Sequence, residues 1–397
     1  MNDYESPLRR FGALVMADTA LQKRLAEIGD LAEFADAVAQ SAFTLGLPLP
    51  AERVLAALSP GRAELSRWMT PVAQGSAWPP QPWLPIQVNG GHGGFFVDWA
   101  YFGTRPLTEP FFEGSIRCAL QRPLARLSQY RMRLSDLVAR TEGTQSLKPS
   151  GFVFHMSRCG STLTSQMLAA LPRTIVVSEA APVDAAVQLE AGEPDLAGER
   201  AYRLLAAMVA AYGRPRAGDE RHYVVKLDSW HALALPLFAR AFPTVPWVFL
   251  YRDPVEVLVS QARAPGAQMV PGIVPASRYG IEDFDGVPDA EYHARVLDKI
   301  CRAAVENAGS GRALFVNYRE LPEAVFTRIM PHFGIACDDS ARAAMRTAAE
   351  RDAKAPSFAF AADSADKQSE ASDELRALAE RHVGAVYREL EALSKER

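Results

Sequence analysis

The chain has 397 residues, 48% of them hydrophobic and 23% charged, and carries a formal net charge of −4. That length supports a sizeable core and two or three domains, and the composition is that of an ordinary globular protein. The weak negative charge excludes a polyanion-binding surface over the whole chain, so no nucleic acid partner is expected and any anion site must be local. No apolar run approaches the roughly 18 residues of a membrane span, and no charged-then-apolar leader opens the sequence. The expectation is a cytoplasmic protein with no membrane partner. Four scattered cysteines, Cys118, Cys159, Cys301 and Cys337, form no C-x-x-C pair, which argues for a reducing compartment and against a zinc site.

Three domains are expected, at 1–60, 70–140 and 150–397. The first is a small helical unit. Leu21, Leu25 and Ile28 share one helical face behind Asp18, a suitable N-cap. Asp30 and Glu33 have capping-box spacing ahead of Phe34, Val38 and Ala42. Gly46 and Pro48 end that helix, and Pro50 with Glu52 starts a third carrying Val54, Leu55 and Leu58. Phe11 followed by LQKRLAEIGDLAEFADAVAQSAFTLGL resembles the small leader-like domain named after nitrogen-fixation gene clusters, which implies peptide or natural-product chemistry. The same spacings read equally as a helical hairpin that packs on the chain or recruits a partner.

Residues 70–93 are rich in proline and end in a glycine cluster, so they read as a linker or an extended wrapping segment. Phe95–Trp99 suits a strand, and Ile116 to Leu137 reads as a helical run. The aromatics of this aromatic-rich accessory module read as core, and no chemistry is assigned to it.

From residue 151 the signals alternate. Apolar runs suited to buried strands fall at 152–156, 174–178, 223–227, 246–251 and 313–318. Helical patterns fall at 162–171, 200–212, 231–241, 254–262 and 288–307. This alternation predicts an α/β fold, a mostly parallel sheet with helices on both faces, whose ligands bind at the C-terminal strand ends. In GFVFHMSRCGSTLTSQMLAALP, residues 151–172, an apolar run gives way to a small polar loop and then to an amphipathic helix. That order offers backbone N–H groups and a helix N-terminus to a phosphate. The loop has no Lys before its Ser/Thr as in G-x-x-x-x-G-K-[ST], and Arg158 supplies the positive charge instead. Arg158, Glu179, Lys226, Arg252 and Tyr318 all fall at or just after the end of an expected strand. Residues 263–287, rich in glycine and proline, read as a mobile loop over an acceptor. Residues 340–350 read as helix and 354–368 as a loop holding Lys354 and Lys367. An amphipathic helix closes the chain from about Glu370.

Together these residues resemble the bacterial branch of the sulfotransferase superfamily, P-loop-like enzymes that move a sulfuryl group from 3′-phosphoadenosine-5′-phosphosulfate (PAPS). The resemblance covers about residues 150–335. It implies that Arg158, Cys159, Gly160, Ser161, Thr162 and Leu163 bind the 5′-phosphosulfate, with Ser157 standing where the family often has proline. It implies that Arg252 and Ser260 bind the 3′-phosphate and that Tyr318 lies near the nucleotide, although packing alone would explain that tyrosine. Glu179 stands where some branches place the catalytic base, and Lys226 where a lysine stabilises the bridging oxygen. Arg158 would assist Lys226 in catalysis. Without the resemblance, Glu179 reads as a helix cap and Lys226 as a surface lysine at a strand end. His155 and His231 are rival bases, and Lys354 and Lys367 are open candidates for nucleotide contact. PAPS is the implied co-substrate, no metal is implied, and the acceptor would be a hydroxyl-bearing small molecule or peptide. The competing readings are a kinase-like phosphotransferase, which would bind Mg-ATP, and a non-catalytic nucleotide-fold scaffold binding a peptide partner.

Overall fold

The structure is a computed structural model that describes residues 7–58, 73–92, 94–192, 199–281 and 286–395. Its centre is a five-stranded parallel sheet in the spatial order β6-β7-β5-β8-β9. These strands are β5 (Gly151–His155), β6 (Thr174–Ser178), β7 (His222–Lys226), β8 (Trp247–Tyr251) and β9 (Ala313–Asn317). Each lies within one residue of its expected apolar run. Every residue of β5, β8 and β9 is buried, the pattern of a sheet covered on both faces. Aromatic rings fill one of these faces: Phe152 and Phe154 each meet Phe238 edge-on, with centroids 5.3 Å apart. At the start of β5, a Cβ on Gly151 would lie 2.2 Å from the Phe333 ring, so only glycine fits there.

The chain runs from β5 out to β6 and β7 on one side, then crosses β5 to add β8 and β9 on the other. The loop after β5 therefore lies at the point where the strand order reverses, where open α/β sheets hold their ligands. Helices Ser161–Ala169, Glu199–Tyr212, Pro254–Arg263 and Asp289–Glu306 occur where periodicity placed them. The pattern at 231–241 splits into a 3₁₀ turn, Ser229–Ala234, and a helix, Leu235–Ala241, with Pro236 in its first turn. The C-terminal expectation needs correcting. Part of the presumed loop is a helix, Ser364–Glu370, and the single closing helix is two, Asp373–His382 and Gly384–Lys395. Ser372 caps the first of these two by accepting from the Leu375 amide at 3.2 Å, which sets its start.

Among the described residues, four helices precede the sheets: Pro7–Ala17, Thr19–Ala26, Leu31–Thr44 and Ala51–Leu58. Asp18 and Asp30 both cap as expected, each accepting from two amides at 2.9 and 3.0 Å. The presumed linker is only partly extended wrapping. Residues Trp83–Gly91 (β2) and Gly94–Tyr101 (β3) form an antiparallel hairpin in a second sheet, ordered β1-β4-β3-β2 with β1 at Ala73–Gln74 and β4 at Tyr130–Arg133. Pro85 disguised β2. It sits on the edge strand beside a register shift, where a missing N–H costs no ladder bond. The helical run expected over 116–137 is likewise broken, into Phe112–Leu120, Pro123–Leu127, β4 and Leu134–Ala139. Hydrogen bonds tie these parts together: Trp83 Nε1 donates to Gln22 Oε1 at 3.1 Å, and the Tyr212 hydroxyl donates to the Pro85 carbonyl at 2.8 Å. Among the described residues, no helix is long and apolar enough to cross a membrane.

Candidate active site

A pocket of about 390 Å³ opens at the C-terminal ends of the parallel strands. Its floor is the loop after β5. Ser157, Arg158 and Gly160 have φ of 77°, 53° and 83°, a run of left-handed conformations that curls the backbone before the helix Ser161–Ala169 begins. Buried bonds hold the curl. The Ser157 amide donates to His155 Nδ1 at 3.0 Å, Gln261 Nε2 donates to Ser157 Oγ at 3.1 Å, and the Cys159 thiol donates to the Leu250 carbonyl at 3.0 Å. Cys159 is thus a structural thiol, and burial pushes it up to about 12. A Cβ on Gly160 would fall 2.6 Å from Leu321 and 2.9 Å from Tyr318, so the loop passes these residues at closest approach.

Each remaining residue singled out from the sequence follows its own strand: Glu179 after β6, Lys226 at the end of β7, Arg252 after β8 and Tyr318 after β9. Residues 158–163, Glu179, Arg252, Ser260 and Tyr318 line the pocket. Lys226 reaches it through an ion pair with Glu179 and lies 5.0 Å from the centroid of the Phe111 ring, another wall residue. Glu179 has φ 51°, and its amide donates to the Lys226 carbonyl at 2.8 Å. Burial raises its carboxyl, but the Lys226 ammonium and the hydrogen bond from His155 more than offset this and hold it well below the usual carboxylate range.

The two histidines are otherwise engaged. His155 lines the pocket, but its Nδ1 accepts from Ser157 while its Nε2–H is shared between the Leu227 carbonyl at 2.9 Å and Glu179 at 3.5 Å. Burial lowers its pKa, so the ring is neutral. His231 is not a pocket wall. Its Nδ1 accepts from the Asp228 amide at 3.3 Å and its Nε2 donates to Asp184 at 3.0 Å. Asp184, Asp228 and His231 hold ligand-type atoms within 4.8 Å of one another. Both nitrogens of that histidine are occupied by the hydrogen bonds just given.

Asp228 is a pocket residue that the sequence reading missed. Burial, with the charges of Glu179 and Asp184 acting the same way, pushes it up to about 7 against the pull of His231 and Lys226. Its neighbour Ser229 is 3% exposed and lines the same wall, with a hydroxyl that has no partner among the described residues. Their position two and three residues past the end of β7 was the available signal. Phe111, also missed, lies just before the helix Phe112–Leu120, outside the parallel sheet, and had none. Lys354 and Lys367 both line the pocket, and partial desolvation with the charges of Arg158 and Lys226 brings Lys354 down to about 8.

Arg252 is held on several sides. Its Nε donates to Glu256 at 2.5 Å, its Nη2 to Asp363 at 2.6 Å and to Ser364 Oγ at 2.9 Å, and the guanidinium lies 3.9 Å from the centroid of the Tyr318 ring. The expected mobile loop is partly built: Met269, Val274, Tyr279 and Ile281 are buried, and Gly266 and Gln268 line the pocket. Residues 282–285 of that segment lie outside the described residues.

Several solved structures are similar to this chain. The sulfotransferase domain of the Synechococcus PCC 7002 olefin synthase is 16% identical with a TM-score of 0.36, over 64% of this chain and 97% of that one. The sulfotransferase from Alicyclobacillus acidocaldarius is 13% identical with a TM-score of 0.37, over 63% and 96%. The sulfotransferase STF1 from Mycobacterium tuberculosis H37Rv is 18% identical with a TM-score of 0.34, over 66% and 83%. No curated protein matches the chain. The family model described as the Sulfotransferase family matches residues 149–339, a span that contains β5 through β9 and every strand-end residue discussed above. The chain carries, at residues 149–339, a domain of the sulfotransferase family.

Proposed function

We propose that this pocket moves a sulfuryl group from PAPS to the hydroxyl of a small-molecule or peptide acceptor by in-line displacement. The observation that carries the reading is the convergence of Arg158, Glu179, Lys226, Arg252 and Tyr318, from five strand ends, on one pocket beside a left-handed loop. PAPS would supply the activated sulfuryl group. The chain's part is to hold the anion, neutralise the leaving oxygen and take up a proton.

The backbone amides of 160–163, at the start of a helix, suit the 5′-phosphosulfate, and Arg158 adds charge beside them. Arg252 and Ser260 suit the 3′-phosphate, with Tyr318 stacked on the guanidinium. Lys226 would stabilise charge as it develops on the bridging oxygen, an effect of about 2.7–4 kcal/mol for a well-aimed donor. Glu179 would be the base. At rest Lys226 holds it, which makes it a weak one. A lysine drawn toward the bridging oxygen would release the carboxylate as the acceptor proton needs a destination, so proton uptake and leaving-group stabilisation would be coupled. Asp228 and Ser229, on the same wall, would face the acceptor.

The test is transfer itself. Purified protein incubated with PAPS labelled in the sulfuryl group and a panel of phenols, alcohols and hydroxyl-bearing peptides should release adenosine 3′,5′-bisphosphate and label an acceptor. Phosphoryl transfer from Mg-ATP to the same panel, without sulfuryl transfer, would overturn the reading.

A further inference from the structure

We propose that Asp363 holds the place of the nucleotide's 3′-phosphate in the resting chain, and that Lys367 joins Arg252 in binding that phosphate once Asp363 gives way. The inference rests on the reading of this pocket as a nucleotide site. It concerns residues beyond the 149–339 span that matches the family.

The carboxylate of Asp363 bridges two cations. One oxygen accepts from Arg252 Nη2 at 2.6 Å and the other pairs with Lys367 Nζ at 2.6 Å. A planar anion between a guanidinium edge and an ammonium has the geometry with which such groups hold a phosphate. The two carboxylates on Arg252 are not equivalent. Glu256 lies in the first turn of the helix Pro254–Arg263, 10% exposed at its side chain, and also accepts from Ser364 Oγ at 2.9 Å and Gln368 Nε2 at 3.3 Å. It fixes the Nε edge of the guanidinium. Asp363 takes the Nη2 side, is 41% exposed, and sits at the start of the short helix Ser364–Glu370. It is the partner able to leave.

Lys367 supplies the second argument. Its side chain is 5% exposed, and Asp363 is its ion-pair partner. An ammonium that deeply buried cannot be left without an anion, because an uncompensated charge out of water would cost several kcal/mol. If Asp363 moves out, something negative must move in. Asp363, Lys367, Arg252 and Ser260 all line the pocket, so a phosphate entering beside Ser260 reaches both cations. A phosphate monoester brings about −1.5 to −2 charge in place of a carboxylate's single charge, which favours the exchange. The segment carrying these residues packs on the helix Pro254–Arg263, where Arg263 Nε donates to Glu370 at 3.0 Å, so Lys367 stays anchored while Asp363 turns away.

Calorimetric titration of the full chain with adenosine 3′,5′-bisphosphate and, separately, adenosine 5′-monophosphate tests this. Asp363→Asn removes the competing charge and keeps the shape. It should tighten the bisphosphate by about fivefold or more, leaving the monophosphate within about twofold. Lys367→Met should weaken the bisphosphate about tenfold and spare the monophosphate, with Lys367→Arg restoring most of the loss. Binding of the bisphosphate by the wild-type chain with no gain in Asp363→Asn overturns the proposal alone. An equal gain for both nucleotides also overturns it, since the effect would then not be at the 3′-phosphate. No binding of the bisphosphate by any of these proteins overturns the nucleotide reading, and the proposal with it.

Discussion

Glu179 and Lys226 meet across two adjacent strand ends: Ser178 of β6 is in register with Lys226 of β7, and the next residue, Glu179, turns its carboxylate onto that lysine. The pair places an acid–base group and a cation at one point of the pocket wall. Under the proposed chemistry the two act on opposite sides of the transfer. Glu179→Gln should lower kcat by about 10²–10⁴-fold, the range of a lost general base. Lys226→Met should lower it by about 10²–10³-fold, as for a lost transition-state donor. Glu179→Gln should leave adenosine 3′,5′-bisphosphate affinity within about threefold, because that carboxylate faces the acceptor proton and neither phosphate. Steady-state kinetics beside calorimetry checks this. Normal turnover in Glu179→Gln would shift the base to Asp228, the other carboxylate on the wall.

Gly160 makes a second prediction. It has φ 83°, and a Cβ there would fall 2.6 Å from Leu321 Cδ1 and 2.9 Å from Tyr318. Gly160→Ala should therefore cost about 1–3 kcal/mol of stability through backbone strain. It should also push Tyr318 off Arg252 and weaken adenosine 3′,5′-bisphosphate by about tenfold or more. Thermal melts and titration of the variant read the two effects. A variant that melts and binds like wild type would contradict the tight loop seen here.

Asp228 gives a pH dependence. Its pKa is raised from 3.8 to about 7, so the folded chain binds this proton more tightly than the unfolded chain does. The resulting stabilisation is fully present below 3.8 and is lost as pH rises through about 7. Asp228→Asn, which does not titrate, should therefore gain Tm relative to wild type between about pH 5 and about pH 8. His231, Glu179, Asp184, Lys226 and Tyr279 face this carboxylate, so the comparison is made between variant and wild type at each pH. A gap that is flat or narrows with rising pH would contradict the assignment.

The parallel sheet was legible because its strands are continuous apolar runs, such as Trp247–Tyr251, separated by helical periodicity. Their C-terminal ends told where Arg158, Glu179, Arg252 and Tyr318 would gather, since the topology of such a sheet brings those ends to one edge. What was hidden is non-local. Phe111 reaches the pocket from a segment outside the parallel sheet, and Asp363 reaches Arg252 from a distant part of the chain; neither carries a periodicity or a motif. The hairpin of β2 and β3 was hidden differently. Pro85 and the glycines are turn and linker signals by composition, and only the edge position of β2 makes them compatible with a strand.

The most direct measurement is a calorimetric titration of the purified chain with adenosine 3′,5′-bisphosphate and, separately, with Mg-ATP. The account predicts tight binding of the bisphosphate, weakened by about tenfold or more in Arg252→Ala, which loses the guanidinium fork. Binding of Mg-ATP alone, or bisphosphate affinity unchanged in Arg252→Ala, would contradict it.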